Sequence, residues 1–83
     1  PFNPTTKIKF SIPRSTEYYS VQQNVTLKVY DVLGNEIAVL VDEYKPAGMY
    51  EVEFDASSLS SGVYMYQLRA GSFTQTRKMI LMR

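Results

Sequence analysis

The 83-residue chain contains no cysteine, no histidine and no tryptophan. Without cysteine it forms no disulfide and no thiolate metal site, and without histidine it lacks the commonest general base and metal ligand. Ser57, Ser58, Ser60 and Ser61 therefore have no imidazole to activate them and read as a serine-rich turn, not as a nucleophile site. The chain is expected to be no enzyme and to carry no cofactor. Long apolar runs are also missing: the longest uninterrupted one at the C-terminal end, Met79, Ile80, Leu81 and Met82, falls far short of the roughly 20 residues of a membrane-spanning helix. Nine Lys+Arg against eight Asp+Glu leave a formal charge of +1, too little for a surface that tracks nucleic-acid phosphates. The lack of cysteine does not fix a compartment, because an exported domain can do without a disulfide. The sequence opens at Pro1 with neither a methionine nor a signal peptide, and is expected to be a piece of a longer protein comprising one domain over residues 1–83.

What is present is alternation. Ile8, Phe10 and Ile12 alternate with Lys7, Lys9 and Ser11 until Pro13, which has no N–H to continue a ladder. Val25, Leu27 and Val29 alternate with Thr26, Lys28 and Tyr30, and this strand is expected to end near Val32. Gly34 and Asn35, which tolerate positive φ most cheaply, supply a turn. Residues 37–41 are wholly apolar and suggest a strand covered on both faces, while residues 42–48 read as a loop. Tyr50, Val52 and Phe54 then face inward opposite Glu51, Glu53 and Asp55. Residues 56–62 form a turn in which Leu59 plugs the core end. Tyr64, Tyr66 and Leu68 share one side of the following strand, and residues 70–72 make a tight hairpin. The segment from Phe73 is expected to start exposed and finish buried.

Six strands, room for a short edge strand in the polar stretch 14–24, turn signals roughly every ten residues and no amphipathic helix point to one architecture. It is an all-β, Ig-like antiparallel β-sandwich of about seven strands, without the cysteines and tryptophan of antibody domains.

Few residues in this frame suggest chemistry. Tyr50, Tyr64 and Tyr66 sit where the core or its rim is expected, whereas Tyr18, Tyr19 and Tyr44 are free to form a contact surface. Asp31, Asp42, Glu43 and Asp55 lie near strand ends, but their spacing matches no calcium loop. Asn24-Val25-Thr26 fits a glycosylation acceptor, a three-residue pattern that arises often by chance. The C-terminal run bracketed by Lys78 and Arg83 stands apart, because a chain end is the easiest place for a receptor to read an address.

Four ordered segments carry a resemblance. The opening Pro1-Phe2-Asn3-Pro4 through Ile12-Pro13, the element Val25 to Tyr30-Asp31 with Gly34 and Glu36, the core Gly48-Met49-Tyr50 with Leu59-Ser60-Ser61-Gly62-Val63-Tyr64, and the ending from Lys78 to Arg83 resemble the type A C-terminal sorting domain of the type IX (Por) secretion system. The stretch 14–24 is longer than that family's usual connection. The resemblance implies a domain at the C-terminus of an exported protein, which targets its fused cargo across the outer membrane for release or cell-surface attachment. It implies an N-terminal cargo domain, an outer-membrane translocon and a sortase-like peptidase as partners. It also implies localisation outside a Gram-negative cell by way of the periplasm, with the cleavage junction upstream of Pro1. Gly62, Val63, Tyr64, Lys78, Met79, Ile80, Leu81, Met82 and Arg83 become the candidates for translocon recognition, and Gly34, Gly48, Gly62 and Gly71 the turn glycines. The competing reading is an accessory Ig-like module that binds glycan or packs against a parent enzyme. A free terminal strand also leaves room for a weak edge-strand dimer.

Overall fold

A computed structural model describes residues 5–14 and 23–82. These form six strands: β1 (Thr5–Ile12), β2 (Gln23–Asp31), β3 (Glu36–Lys45), β4 (Gly48–Asp55), β5 (Gly62–Ala70) and β6 (Phe73–Leu81). They make two antiparallel sheets, a pair β1-β4 and a four-stranded sheet in the order β3-β2-β5-β6. The expected Ig-like sandwich is thus present with six strands among the described residues, and the additional edge strand falls in residues 15–22, outside them.

Alternation decides what each sheet buries. β2 and β5 lie at the centre of the larger sheet, so their inward residues are the most enclosed: Val25, Leu27 and Val29 are completely buried, with Leu68 and Ala70 beside them. β1 and β4 close the core from the other side with Ile8, Phe10, Ile12 and Phe54, and Leu59 packs against its end. No polar or charged residue is buried among the described residues, so the core carries no cost of desolvating a charge.

Four sequence expectations are corrected. The segment 42–48 is not a loop, because β3 continues through Asp42, Glu43 and Tyr44 to Lys45, where Lys45 and Tyr44 pair with Gln23 and Asn24. The same pairing moves Gln23 and Asn24 out of the expected loop 14–24 into β2. The apolar run 37–41 is not covered on both faces. β3 is an edge strand, and register shifts at the Leu27/Lys28 and Val29/Tyr30 steps change which residues oppose the core. Val41 is buried while Val39 faces outward. Finally, β6 finishes buried on one face only: its last residue, Leu81, joins the core, while Ile80 and Met82 stand in solvent.

The hairpins show where glycine is required. In the β2–β3 connection, Gly34 N–H donates to the Asp31 carbonyl and Asp31 N–H to the Asn35 carbonyl, enclosing Val32, Leu33 and Gly34 in a three-residue loop. Gly34 takes the left-handed conformation (φ 89°) that closes such a loop with a bulge; Asn35, expected to share that freedom, has a negative φ and acts through its hydrogen bonds. At the β5–β6 hairpin, Ala70 pairs with Phe73, so Gly71 and Ser72 are the only turn residues. Gly71 alone has positive φ (60°), the pattern of a type II′ turn.

Candidate functional site

The candidate residues named from the two ends of the β5–β6 sequence are brought together by register. Gly62 pairs with Leu81, Val63 with Ile80, Tyr64 with Met79 and Met65 with Lys78. Residues 62–65 and 78–81 therefore form one two-stranded ribbon at one end of the larger sheet. Because side chains alternate, Tyr64, Met79 and Leu81 point into the sandwich, while Val63 and Ile80 stand together on its outer face. Ile80 is 62% exposed and Met82, just past the strand, 76%. Arg83 lies outside the described residues.

Tyr64 fixes the start of this ribbon. Its hydroxyl donates to the Ser60 carbonyl at 2.8 Å, four residues upstream, and its ring covers the space where a side chain on Gly62 would project. Such a bond from a strand-start tyrosine back to the preceding connection is the tyrosine corner of Ig-like sandwiches. The device occurs twice. Tyr50, two residues after Gly48, donates to the Pro46 carbonyl at 2.7 Å, stacks on Phe10 with ring centroids 5.5 Å apart, and carries the Lys45 ammonium 4.6 Å from its ring centre. The repeated Gly-x-Tyr spacing was visible in the sequence; the hydroxyl bonds that explain it were not.

The β2–β3 loop occupies the same end, since Asp31 pairs with Tyr64 across the sheet. Its tip presents Val32 and Leu33, 62% and 83% exposed. The sequence pattern marked Val32 only as a strand end beside the turn at Gly34 and Asn35, although two apolar side chains at a loop tip are a signal in themselves. Below them the Asp31 carboxylate organises the loop: Oδ1 accepts from the Leu33 and Asn35 backbone N–H groups, each at 2.9 Å, and Oδ2 accepts from the Asn35 side-chain amide at 3.0 Å. The Asn35 side chain foremost, and then the Asn35 backbone N–H, hold the Asp31 carboxyl below its usual value of 3.8 against an opposing desolvation, with the Leu33 and Gly34 N–H groups adding to them.

This end presents an apolar surface. Five exposed apolar side chains are carried by the hydrogen-bonded β2–β3 loop (Val32, Leu33), the paired ribbon (Val63, Ile80) and the residue after it (Met82), flanked by the exposed Lys78. Among the described residues no three Asp or Glu side chains gather closely enough to hold a metal ion. No described helix is long and apolar enough to cross a membrane. Tyr44 is 68% exposed near the far end of β3, and Tyr18 and Tyr19 lie outside the described residues.

A family model described as the secretion system C-terminal sorting domain aligns with residues 1–82. No curated protein and no solved structure matches the chain.

Proposed function

The chain belongs to the family of secretion system C-terminal sorting domains, the sorting signals of type IX secretion, and from that premise we propose that the β5–β6 end is the part the translocon reads. In this reading the domain follows an N-terminal cargo and is recognised after the cargo reaches the periplasm. It carries the cargo across the outer membrane for release or surface attachment, where a sortase-like peptidase acts upstream of residue 1. Gly62, Val63, Tyr64, Lys78, Met79, Ile80, Leu81, Met82 and Arg83 form the address. Tyr64, Met79 and Leu81 hold the ribbon in place, while Val63, Ile80, Met82 and the cationic Lys78 and Arg83 are left for contact.

One observation carries the reading: the register sets Val63 beside Ile80 in solvent. Single exposed apolar residues are ordinary, whereas a cluster held at one end of a small domain marks an interaction site. Val32 and Leu33 extend that cluster from the neighbouring loop. The test is secretion of a fluorescent cargo fused to the chain in a type IX-competent host, beside the same fusion ending at Gln75. Loss of export by the shorter fusion, with its cargo folded in the periplasm, supports the reading. Equal export overturns it.

A further inference from the structure

Two strand edges in this fold face an open seam. β1 pairs only with β4 and β6 only with β5, so each leaves one edge of backbone N–H and C=O groups without a strand partner among the described residues. Between them lie two clefts. One of about 340 Å³ reaches from Ser11 and Pro13 to Phe73 and Gln75. The other, about 380 Å³, lies between Thr6 and Met79. Lys9 and Tyr66 line both, which makes them one channel along the antiparallel edges of β1 and β6.

The charge of this channel is of one sign. Every charged residue lining it is cationic: Lys7, Lys9, Arg77 and Lys78. Glu51 reaches Lys7 only at 4.0 Å, and among the described residues no carboxylate comes within ion-pair distance of Lys9, Arg77 or Lys78. Of the acidic side chains, Glu51 and Glu53 stand across the β1–β4 pair from Lys9 and Lys7, outside the channel lining, while Asp55 ends β4 and Glu36, Asp42 and Glu43 lie on β3. A chain of net charge +1 thus presents a basic seam floored by the apolar surface of Phe10, Tyr66, Phe73 and Met79.

We infer that this seam receives an extended acidic segment of a second protein, added as a strand between β1 and β6. Strand addition takes its affinity from main-chain hydrogen bonds and its selectivity from alternate side chains. Here one face of the incoming strand would meet the apolar floor with Arg77 beside it, and the other Lys7, Lys9 and Lys78. A second copy of this chain fits less well. Presenting its own seam opposes like charges, and each of its acidic strands, β3 and β4, already has one edge paired, whereas a seam between two edges calls for a strand with both edges free. The seam shares Lys78 and Met79 with the β5–β6 end but runs on to Lys9, Ser11 and Phe73, and it is tested by peptide binding and not by export, so failure of one reading is distinguishable from failure of the other.

The test is titration of the isotope-labelled 83-residue chain with a blocked seven-residue peptide alternating valine and glutamate, followed by amide chemical shifts. The control is the same peptide with lysine in place of glutamate. Shifts confined to residues 6–11 and 73–79 with the glutamate peptide, absent with the lysine peptide and weakened about fivefold or more by 0.5 M salt, support the inference. Lys9→Glu with Arg77→Glu should weaken binding to a similar degree at unchanged shift dispersion. The salt series and the lysine peptide keep the test decisive if that variant does not fold. Absent shifts would mean that the lysines only guard a bare edge against aggregation, and would overturn the inference. So would equal binding of both peptides, shifts on β3 or β4, or a dimer of the chain alone in sedimentation.

Discussion

Replacing Tyr64 with Phe removes one oxygen and leaves the ring in place, so it isolates the hydroxyl bond that anchors the start of β5. The residue is 7% exposed and the bond to the Ser60 carbonyl is 2.8 Å long and partly shielded from water. A typical intramolecular hydrogen bond contributes about 0.5–1.5 kcal/mol net, and a partly shielded carbonyl that loses its donor places the loss near 1 kcal/mol. For a domain of this size that corresponds to a fall in Tm of about 4–8 °C. With a urea m-value of about 1 kcal/mol/M, the midpoint drops by about 1 M. Tyr50→Phe is the internal comparison: its hydroxyl bond to Pro46 is exposed, so water replaces the lost partner while the ring keeps Phe10 and Lys45. Its expected cost is about half as large or less. Urea unfolding followed by circular dichroism measures both. A Tyr64→Phe effect below about 0.3 kcal/mol, or one smaller than that of Tyr50→Phe, would refute the claim that the shielded corner anchors β5.

Leu27 is completely buried at the centre of the larger sheet, so Leu27→Ala should cost about 2–5 kcal/mol, most of the stability of so small a domain, and calorimetry should show the folding transition largely lost at 37 °C. Gly34 has φ 89° and open space around it, so only its backbone resists substitution; Gly34→Asn should be about 1 kcal/mol less costly than Gly34→Val by urea midpoint, and equal costs would contradict this. Because the folded carboxyl of Asp31 is depressed below 3.8, its contribution is present above that value and is lost as pH falls through the lower folded value. The stability gap between wild type and Asp31→Asn should therefore be constant near neutral pH and close only in strong acid, and a gap independent of pH would count against the loop's carboxylate bonds.

The legible parts of this fold were those where period-2 alternation meets one buried face. β1 and β4 follow it residue by residue, with Ile8, Phe10 and Ile12 against Lys7, Lys9 and Ser11, and Phe54 flanked by Glu53 and Asp55. β3 was obscure because its bulges move apolar residues between faces, so that five in a row suggested double coverage, and because its polar half pairs as an exposed edge that looks like a loop. Residues 79–82 misled for a related reason. An apolar run does not say whether both faces of its strand are covered, and here the partner sheet covers only the inner face, leaving Ile80 and Met82 in solvent. The candidate site was legible as segments, through Gly62-Val63-Tyr64 and the C-terminal run, but the pairing of Val63 with Ile80 belongs to the register. The basic seam was beyond sequence reading, since it depends on which two edges remain unpaired.

The central claim is that the outer surface of the β5–β6 end is what the secretion machinery reads. It is tested most directly by the exported fraction of a fluorescent cargo fused to the chain carrying Val63→Asp and Ile80→Asp, beside a fusion carrying Val39→Asp. Val39 is exposed on the β3 edge strand, away from the β5–β6 end. All three side chains are solvent-exposed, so each fusion should stay folded, as periplasmic protease resistance would verify. The account predicts export lost for the paired substitution and retained for Val39→Asp. Normal export of the folded Val63→Asp, Ile80→Asp fusion would contradict it.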